Sequence, residues 1–170
     1  MNTAILIGNI CPLLAMGTDS LSTTRKTTKG MLWVQNISQV IYGVGTAVLG
    51  GYSGAVQNLV SIARNMVAIW GIESPVLEWV LVAAGVVLGL LCNNMGLVGL
   101  LPMIANLQYT LVVFRYTENQ LALKISFAVT CLLFAIFNFA IYNFVGVATN
   151  LVVVATTTLV LLKNKQEEAK

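Results

Sequence analysis

The sequence contains no histidine and very few charges. Among its 170 residues there are nine Lys or Arg and six Asp or Glu, so charged residues make up only 9% of the chain. A soluble domain carries about 25% charged residues. Hydrophobic residues reach 58%, which leaves too little polar surface to face water. We therefore expect an integral membrane protein whose apolar surface faces lipid.

The missing histidine also limits the chemistry, because it removes the usual general base and the commonest metal ligand. Cys11, Cys92 and Cys131 fall in apolar runs, with no spacing typical of a disulfide framework or a metal site. No glycine-rich segment ends in the Lys-Ser/Thr pair of a nucleotide-binding loop. We expect no cofactor, no metal site and no enzymatic activity.

The hydrophobic runs match the length of membrane-spanning helices, which need about 20 mostly apolar residues. The first run lacks a basic n-region and a small-residue cleavage site, so we expect the mature protein to start near Met1. Two runs are short, and fusing two of them would give six spans. The pattern predicts seven transmembrane helices, at 3–18, 31–49, 52–71, 76–92, 95–114, 122–141 and 144–163.

The basic residues favour seven spans over six. Lys and Arg concentrate in cytoplasmic loops, and six spans would divide them between the two faces. They show no aromatic interleaving, so we expect no nucleic acid partner. This distribution predicts an outside N-terminus, an inside C-terminus and a charged, unfolded cytoplasmic tail at 164–170. With seven spans one face receives Arg25, Lys26, Lys29, Arg115, Lys124, Lys163, Lys165 and Lys170.

An internal repeat relates the third and seventh segments. Pro12 and Pro102 lie 90 residues apart, in the first and fifth segments. The alternative is coincidence in a chain rich in Ala, Val and Leu, but the aligned asparagines and prolines favour a duplication. It predicts parallel three-helix repeats at 1–71 and 95–163, joined by a linker helix at 72–94. The identical pairs, each 92 residues apart, are Gly54/Gly146, Asn58/Asn150, Leu59/Leu151, Val60/Val152 and Ala63/Ala155.

Two three-helix units joined by one helix resemble the SWEET, semiSWEET and PQ-loop group, in which each half has a proline in its first helix and an asparagine in its third. The stretch Lys29-Gly-Met-Leu-Trp-Val-Gln-Asn-Ile-Ser-Gln, with Tyr42-Gly43 and Gln57-Asn58, is similar to the bacterial inner-membrane YgjV family, thought to belong to the same superfamily. The resemblance implies a SWEET-like all-α fold in the bacterial inner membrane, with Pro12 and Pro102 as hinges.

The sequence departs from the sugar carriers in two ways. Leu13 and Met103 follow the prolines, so the Pro-Gln pair is absent. The second and sixth segments contain no proline, so half of the hinge set is missing. Sugar specificity and the gating geometry of that group are therefore not carried over.

Polar side chains form stripes on two adjacent segments. The third carries Gln57, Asn58, Ser61, Arg64 and Asn65 on one helix face, and the second carries Gln35, Gln39, Tyr42 and Thr46. These stripes predict a hydrated cavity. The alternative is interhelical hydrogen bonding, worth about 0.6 kcal/mol per pair. The predicted substrate-binding residues are Asn58, Asn150, Gln35, Gln39, Gln57, Ser61, Arg64 and Asn106.

The second half is poorer in polar groups, since Val153 and Thr156 occupy the positions equivalent to Ser61 and Arg64. We therefore expect one polar and one apolar wall. Arg64 is costly to bury, at about 2.5–3.5 kcal/mol or more. It either binds a carboxylate or phosphate, or extends to the cytoplasmic interface.

We expect Glu73 and Glu78 to be solvated. Because no Asp or His falls within a predicted span, proton coupling has little support.

Two functional hypotheses follow. The first is a passive alternating-access transporter of a small polar or amphipathic solute, with that solute and the lipid bilayer as its partners. The second is a non-transporting receptor or assembly partner, which should have a dry centre and a polar or small-residue patch facing lipid. Substrate identity, transport direction, coupling ion and oligomeric state stay open.

Overall fold

A computed structural model describes residues 3–168 of the chain, with side chains for residues 6–164. That part is entirely helical, which confirms the predicted all-α class with seven helices. A short 3₁₀ helix, Val98–Leu100, precedes the fifth α-helix. The α-helices are α1 (Thr3–Thr23), α2 (Thr28–Val48), α3 (Tyr52–Ile69), α4 (Pro75–Leu91), α5 (Leu101–Arg115), α6 (Gln120–Ala140) and α7 (Phe144–Glu168).

Two helices run further than predicted. The first ends at Thr23 instead of residue 18, because no glycine or proline interrupts the sequence there. The last continues to Glu168, so the expectation of an unfolded tail from residue 164 was wrong up to that residue. Lys, Gln and Glu are good helix formers and extend α7 without a break.

The turns that enter α2 and α6 are built alike. Thr27 caps α2 by accepting a hydrogen bond from the Gly30 N–H, at 3.2 Å. Asn119 caps α6 by accepting one from the Ala122 N–H, at 3.0 Å. Both caps satisfy an N–H that the first helical turn leaves unpaired. The two capping residues stand 92 positions apart, at 27 and 119.

The turns that leave the same two helices also match. The Gly51 N–H donates to the Thr46 carbonyl at 2.9 Å, and the Asn143 N–H donates to the Asn138 carbonyl at 2.9 Å. The residue before each donor is left-handed: position 50 is Gly with φ 79°, and position 142 is Tyr with φ 57°. This is the Schellman arrangement that ends many helices, and it too recurs after 92 residues.

The helices pack as a ring in the order α1, α2, α3, α5, α6, α7, and α7 closes it against α1. The fourth helix stands outside the ring against α3 and α5. Exchanging α1–α3 with α5–α7 leaves the order of the ring unchanged. The buried apolar core consists of Met31, Leu32, Ile69, Tyr109, Val113, Leu123, Phe127, Cys131 and Val153.

The outer surface of the ring is apolar even where a helix carries many polar residues. On α2 the amide and hydroxyl groups of Gln35, Ser38 and Thr46 are buried inside the bundle. The residues exposed on the same helix form one face, at helical spacing. They are Trp33, Ile37, Val40, Val44 and Val48.

Three helices of the described part are long and apolar enough to cross a membrane, judged by length and composition. They are Val98–Arg115, Gln120–Ala140 and Phe144–Asn164, while Pro75–Leu91 is apolar but shorter. The first three helices carry more polar residues, and many of these residues are buried.

Candidate functional site

A small cavity lies inside the ring, between α1, α2, α3, α6 and α7. The volume that the centre of a water molecule can occupy in it is about 30 Å³. By that measure one water needs roughly 10–15 Å³, so the cavity has room for about two waters or one small ion. Its walls are Asp19, Gln39, Tyr42, Thr46, Asn58, Phe127, Thr130, Cys131, Phe134, Asn138 and Asn150.

The two asparagines of the predicted repeat, Asn58 and Asn150, both line this cavity and are bound in the same way. The Asn58 Nδ2 donates to the Gly54 carbonyl at 3.1 Å, and the Asn150 Nδ2 donates to the Gly146 carbonyl at 2.8 Å. Because only the amide nitrogen can donate to a carbonyl, these bonds fix the orientation of each side chain. The carbonyl oxygen of each amide is left as the end available to a ligand.

Asp19 is the charged residue among several cavity residues that sequence reasoning missed, and the α6 wall is the other part that it missed. Asp19 is the only aspartate of the chain, and it is just 2% exposed. Its Oδ1 is buried without a hydrogen-bond partner. Because α1 continues to Thr23, the expectation that no aspartate lies in a helical span was wrong.

The depth of Asp19 follows from its neighbour on the chain. The Thr18 Oγ1 lies 2.8 Å from the Ser38 Oγ, and Ser38 is the central residue of α2. The carboxylate is therefore level with the middle of α2. The signal available in the sequence was the absence of any helix breaker between Thr18 and the basic loop that begins at Arg25.

The cavity walls differ in polarity. The second helix contributes Gln39, Tyr42 and Thr46, and α6 contributes Phe127 and Phe134 together with Thr130, Cys131 and Asn138. Tyr42 and Phe134 are 92 residues apart, the spacing of the predicted repeat. The first half of the chain thus contributes only polar side chains to the cavity, whereas the second half contributes both polar side chains and the two phenylalanines.

A second polar region lies between α3 and α5. We call it the α3–α5 cluster and define it by Gln57, Ser61, Arg64, Asn65, Asn106 and Thr110. Arg64 is 1% exposed. Its Nη1 donates to the Asn106 Oδ1 at 2.7 Å, and its Nε and Nη2 donate to the Asn65 Oδ1 at 3.0 and 2.8 Å. The guanidinium also lies over the Tyr109 ring, 4.5 Å from its centre.

Asn106 connects this cluster to α4. Its Oδ1 also accepts from the Ser61 hydroxyl at 2.8 Å, and its Nδ2 donates to the Gln57 Oε1 at 2.7 Å. The Gln57 Nε2 in turn donates to the Gly85 carbonyl at 2.7 Å. One chain of hydrogen bonds therefore holds α3, α4 and α5 together.

The structure divides the predicted substrate-binding residues between these regions. Gln39, Asn58 and Asn150 line the cavity. Gln35 lies outside it and accepts a hydrogen bond from the Tyr109 hydroxyl at 3.0 Å. Arg64 does not extend to the interface, as one alternative proposed, because its side chain is enclosed within the cluster. The others in the cluster are Gln57, Ser61 and Asn106.

The two predicted hinge prolines have different surroundings. Pro12 lies inside α1, where it removes one intrahelical hydrogen bond. Pro102 lies in the first turn of α5, directly after the 3₁₀ helix. A proline in the first turn costs no hydrogen bond, so only Pro12 interrupts a helix from within.

The expectation that Glu78 is solvated was wrong. Glu78 is 9% exposed, and its Oε1 accepts a hydrogen bond from the Arg115 Nε at 3.0 Å. A carboxylate this far buried needs such a partner. Glu73, in contrast, is exposed as expected.

A larger basic pocket of about 550 Å³ opens where α1 ends, α6 begins and α7 leaves the ring. It brings basic residues from three separate parts of the chain to one end of the bundle. It shares no residue with the central cavity. Its walls are Thr24, Arg25, Lys26, Gln120, Lys124, Val160, Lys163 and Asn164.

Residues 6–168 match the model of the Imp-YgjV family, described as a bacterial inner membrane protein family. The match covers nearly the whole chain, and the protein therefore belongs to this family and resides in the bacterial inner membrane. The predicted resemblance to YgjV is confirmed. No curated protein and no solved structure matches the chain.

Proposed function

We propose that this member of the Imp-YgjV family transports a small polar or amphipathic solute by SWEET-like alternating access. One observation carries the proposal: a cavity inside the ring takes Asn58 and Asn150 from equivalent positions of the two halves. A carrier needs one site that either half can uncover by moving against the other. A side-chain amide can bind a neutral polar group without the cost of a buried charge.

The proposal includes a duplication, with repeats at 1–71 and 95–163 and a linker helix at 72–94. The matched caps at Thr27 and Asn119 and the matched turns at positions 50 and 142 support it. The order of the ring supports it as well, because each half meets the other at two seams, α3 with α5 and α7 with α1. Rocking of the halves at these seams would open the cavity to either side.

All seven helices cross the membrane in this proposal. The polar groups of α2 point inward and its exposed face is apolar. The surface that α2 presents to lipid is therefore more apolar than its average composition. The basic pocket marks the cytoplasmic end, and the N-terminus is outside.

The orientation has a direct test in labelling with an impermeant thiol reagent. Cys11, Cys92 and Cys131 are first replaced by alanine. Tyr142→Cys, at a position 81% exposed, should then react in intact cells, and Glu118→Cys should react only after lysis. The reverse pattern would overturn the proposed orientation.

The cavity in this conformation is too small for a metabolite, since it holds about two waters. Solute binding therefore requires the ring to open. A panel of metabolites should contain a solute that raises the melting temperature of the purified protein. At 100 times its Kd a ligand stabilises the folded state by about 2.7 kcal/mol.

The variants Asn58→Ala and Asn150→Ala test the site with that solute. Both should lose the ligand-induced stabilisation and the uptake into proteoliposomes. Asn94→Ala is the matched control, since Asn94 lies in an exposed loop and bonds the Gly50 carbonyl. Undiminished binding in both cavity variants would refute the site. Tight binding without any uptake would favour the receptor hypothesis.

A further inference from the structure

The Asp19 carboxylate is the one charged group among the walls of the central cavity, and its polar neighbour is the Ser38 hydroxyl, a hydrogen-bonding group that carries no compensating charge. A buried carboxylate costs several kcal/mol unless a cation or hydrogen bonds compensate it. Its Oδ1 has no hydrogen-bond partner. Glu78 has Arg115 as its ion-pair partner, whereas no Lys or Arg is among the walls of the cavity that holds Asp19. The buried Arg64 is engaged by Asn65 and Asn106.

The rest of the cavity offers oxygen atoms. The Tyr42 hydroxyl is buried without a hydrogen-bond partner, and the neighbouring Thr149 hydroxyl donates to the Gly146 carbonyl instead. The amide nitrogens of Asn58 and Asn150 are bonded to their own helices. Their carbonyl oxygens are therefore the ends that can face a ligand. Carboxylate and amide oxygens only accept hydrogen bonds, so these walls require a donor or a cation.

We propose that Asp19, together with the amide oxygens of Asn58 and Asn150, binds a compact monovalent cation. Two sources share this chemistry: an alkali ion, or the primary ammonium group of an organic solute. This cation site depends on the proposed function only because both use the same cavity. An ammonium would identify the solute as an amine, whereas an alkali ion would be the coupling ion of the carrier.

Size and charge both favour a small monovalent ligand. The volume that the centre of a water molecule can occupy in the cavity is about 30 Å³. This volume suits one small ion and is too small for a quaternary ammonium group. The described part of the chain has no group of three His, Cys, Asp or Glu that could hold a multivalent metal. One carboxylate balances one positive charge.

The other titratable groups near Asp19 are neutral at pH 7. They are Tyr42 from α2, Tyr109 from α5 and Cys131 from α6, and free phenols and thiols, with pKa values of about 10 and about 8.5, are almost wholly protonated at pH 7. Between 144 and 162, α7 brings no titratable group to the site. A cation-dependent rise in melting temperature between pH 7 and 8 that requires the cavity residues is therefore assigned to Asp19. A proton competes with the cation for this carboxylate.

The test uses purified full-length protein in detergent at pH 8 and constant ionic strength. Choline chloride is replaced stepwise by NaCl, KCl or methylammonium chloride, and tryptophan fluorescence follows thermal unfolding. We expect at least one small cation to raise the melting temperature saturably, by about 5 °C or more at 100 times its Kd. Stabilisation by NaCl or KCl would identify an alkali ion, and stabilisation by methylammonium chloride would identify an ammonium group.

Asp19→Asn should remove this stabilisation while melting no lower than the wild type in choline, because it deletes a buried charge that has no cationic partner among the cavity walls. Glu78→Gln is the matched control, since it removes a carboxylate that already has Arg115 as its partner, and it should keep the full cation effect. Equal stabilisation of Asp19→Asn and wild type would overturn the proposal.

A second measurement needs no variant. A hydrophobic carbodiimide modifies buried carboxyl groups, and mass spectrometry locates the adduct. The stabilising cation should slow modification of Asp19 at least tenfold and leave Glu78 unaffected. No cation effect in either measurement would overturn the proposal, and a pH-dependent melting temperature that only Asp19→Asn abolishes would then assign a proton to the site.

The two proposals fail differently. Solute uptake that is independent of the cation and unchanged in Asp19→Asn would leave the transporter standing and remove the cation site from its mechanism. Cation binding that depends on Asp19, without uptake of any solute, would leave the site standing and remove the transporter.

Discussion

The two polar regions of the bundle differ in whether their buried groups are paired with each other. In the α3–α5 cluster, Arg64, Asn106 and Gln57 form a continuous set of hydrogen bonds, and the Asn65 Nδ2 is the exception. In the central cavity, Asp19 and Tyr42 each keep a buried oxygen without a partner. Inside a membrane bundle, a paired polar group holds helices together, whereas an unpaired one requires a ligand or water.

The strongest test makes the same substitution in both regions. Asn106→Ala removes the acceptor shared by Arg64 and Ser61 and leaves a buried guanidinium underbonded. We expect it to lower the free energy of unfolding by about 3 kcal/mol. Asn150→Ala loses only a bond to its own helix and should cost less than about 1 kcal/mol.

Reversible unfolding in mixed micelles measures both losses. The wild type and Asn94→Ala serve as references, because the Asn94 amide bonds an exposed loop carbonyl. Equal losses at positions 106 and 150 would show that the two regions have the same structural role, and the distinction between them would be wrong.

A second test perturbs the α4 side of the cluster. A Cβ at Gly89 would lie 2.6 Å from the Gln57 Nε2, the group that donates to the Gly85 carbonyl. Gly89→Ala should therefore displace Gln57 and destabilise the protein by about 2 kcal/mol. A Cβ at Gly85 would meet its nearest neighbour at 3.5 Å, so Gly85→Ala should be neutral or slightly stabilising. Thermal unfolding of the two variants side by side decides the point.

A third test separates stability from binding. Ser61→Ala removes one of the two donors to the Asn106 Oδ1, and Arg64 remains. We expect a loss of about 0.5–1 kcal/mol and no change in the Kd of any cavity ligand. A tenfold weaker ligand affinity in Ser61→Ala would return Ser61 to the binding site, where its place on the polar stripe of the sequence had put it.

The sequence predicted the helices well because hydrophobic length and turn residues decide them locally. Gly50-Gly51, Ser74-Pro75 and Tyr142-Asn143 mark turns in the structure as in the pattern. The repeat likewise predicted that Asn58 and Asn150 share a location, since equivalent residues of two halves lie at one depth. Both line the same cavity.

The assignment of the other polar residues could not be predicted, because a helix face does not reveal which neighbour it meets. Asn58 and Ser61 share a stripe of α3, yet Asn58 faces the cavity and Ser61 faces α5. The polar stripe of α3 is wide enough to contact both the cavity and α5. Asp19 was missed for another reason: a single acidic residue beside a basic loop looks like an interfacial charge until the length of α1 is known.

The smallest expected effect concerns the ion pair between Glu78 and Arg115, which is intermediate between the paired groups of the α3–α5 cluster and the unpaired groups of the cavity. Glu78 is paired, like the members of the cluster, but the Arg115 side chain is 51% exposed. Water screens such a pair, so Glu78→Gln should cost less than about 1 kcal/mol, and the loss should shrink as salt is raised from 0.1 to 1 M, where the screening length falls to about 3 Å. Thermal unfolding at the two salt concentrations measures it. A salt-independent loss as large as that of Asn106→Ala would mean that the pair is as buried as the cluster. It would also disqualify Glu78→Gln as the control for Asp19.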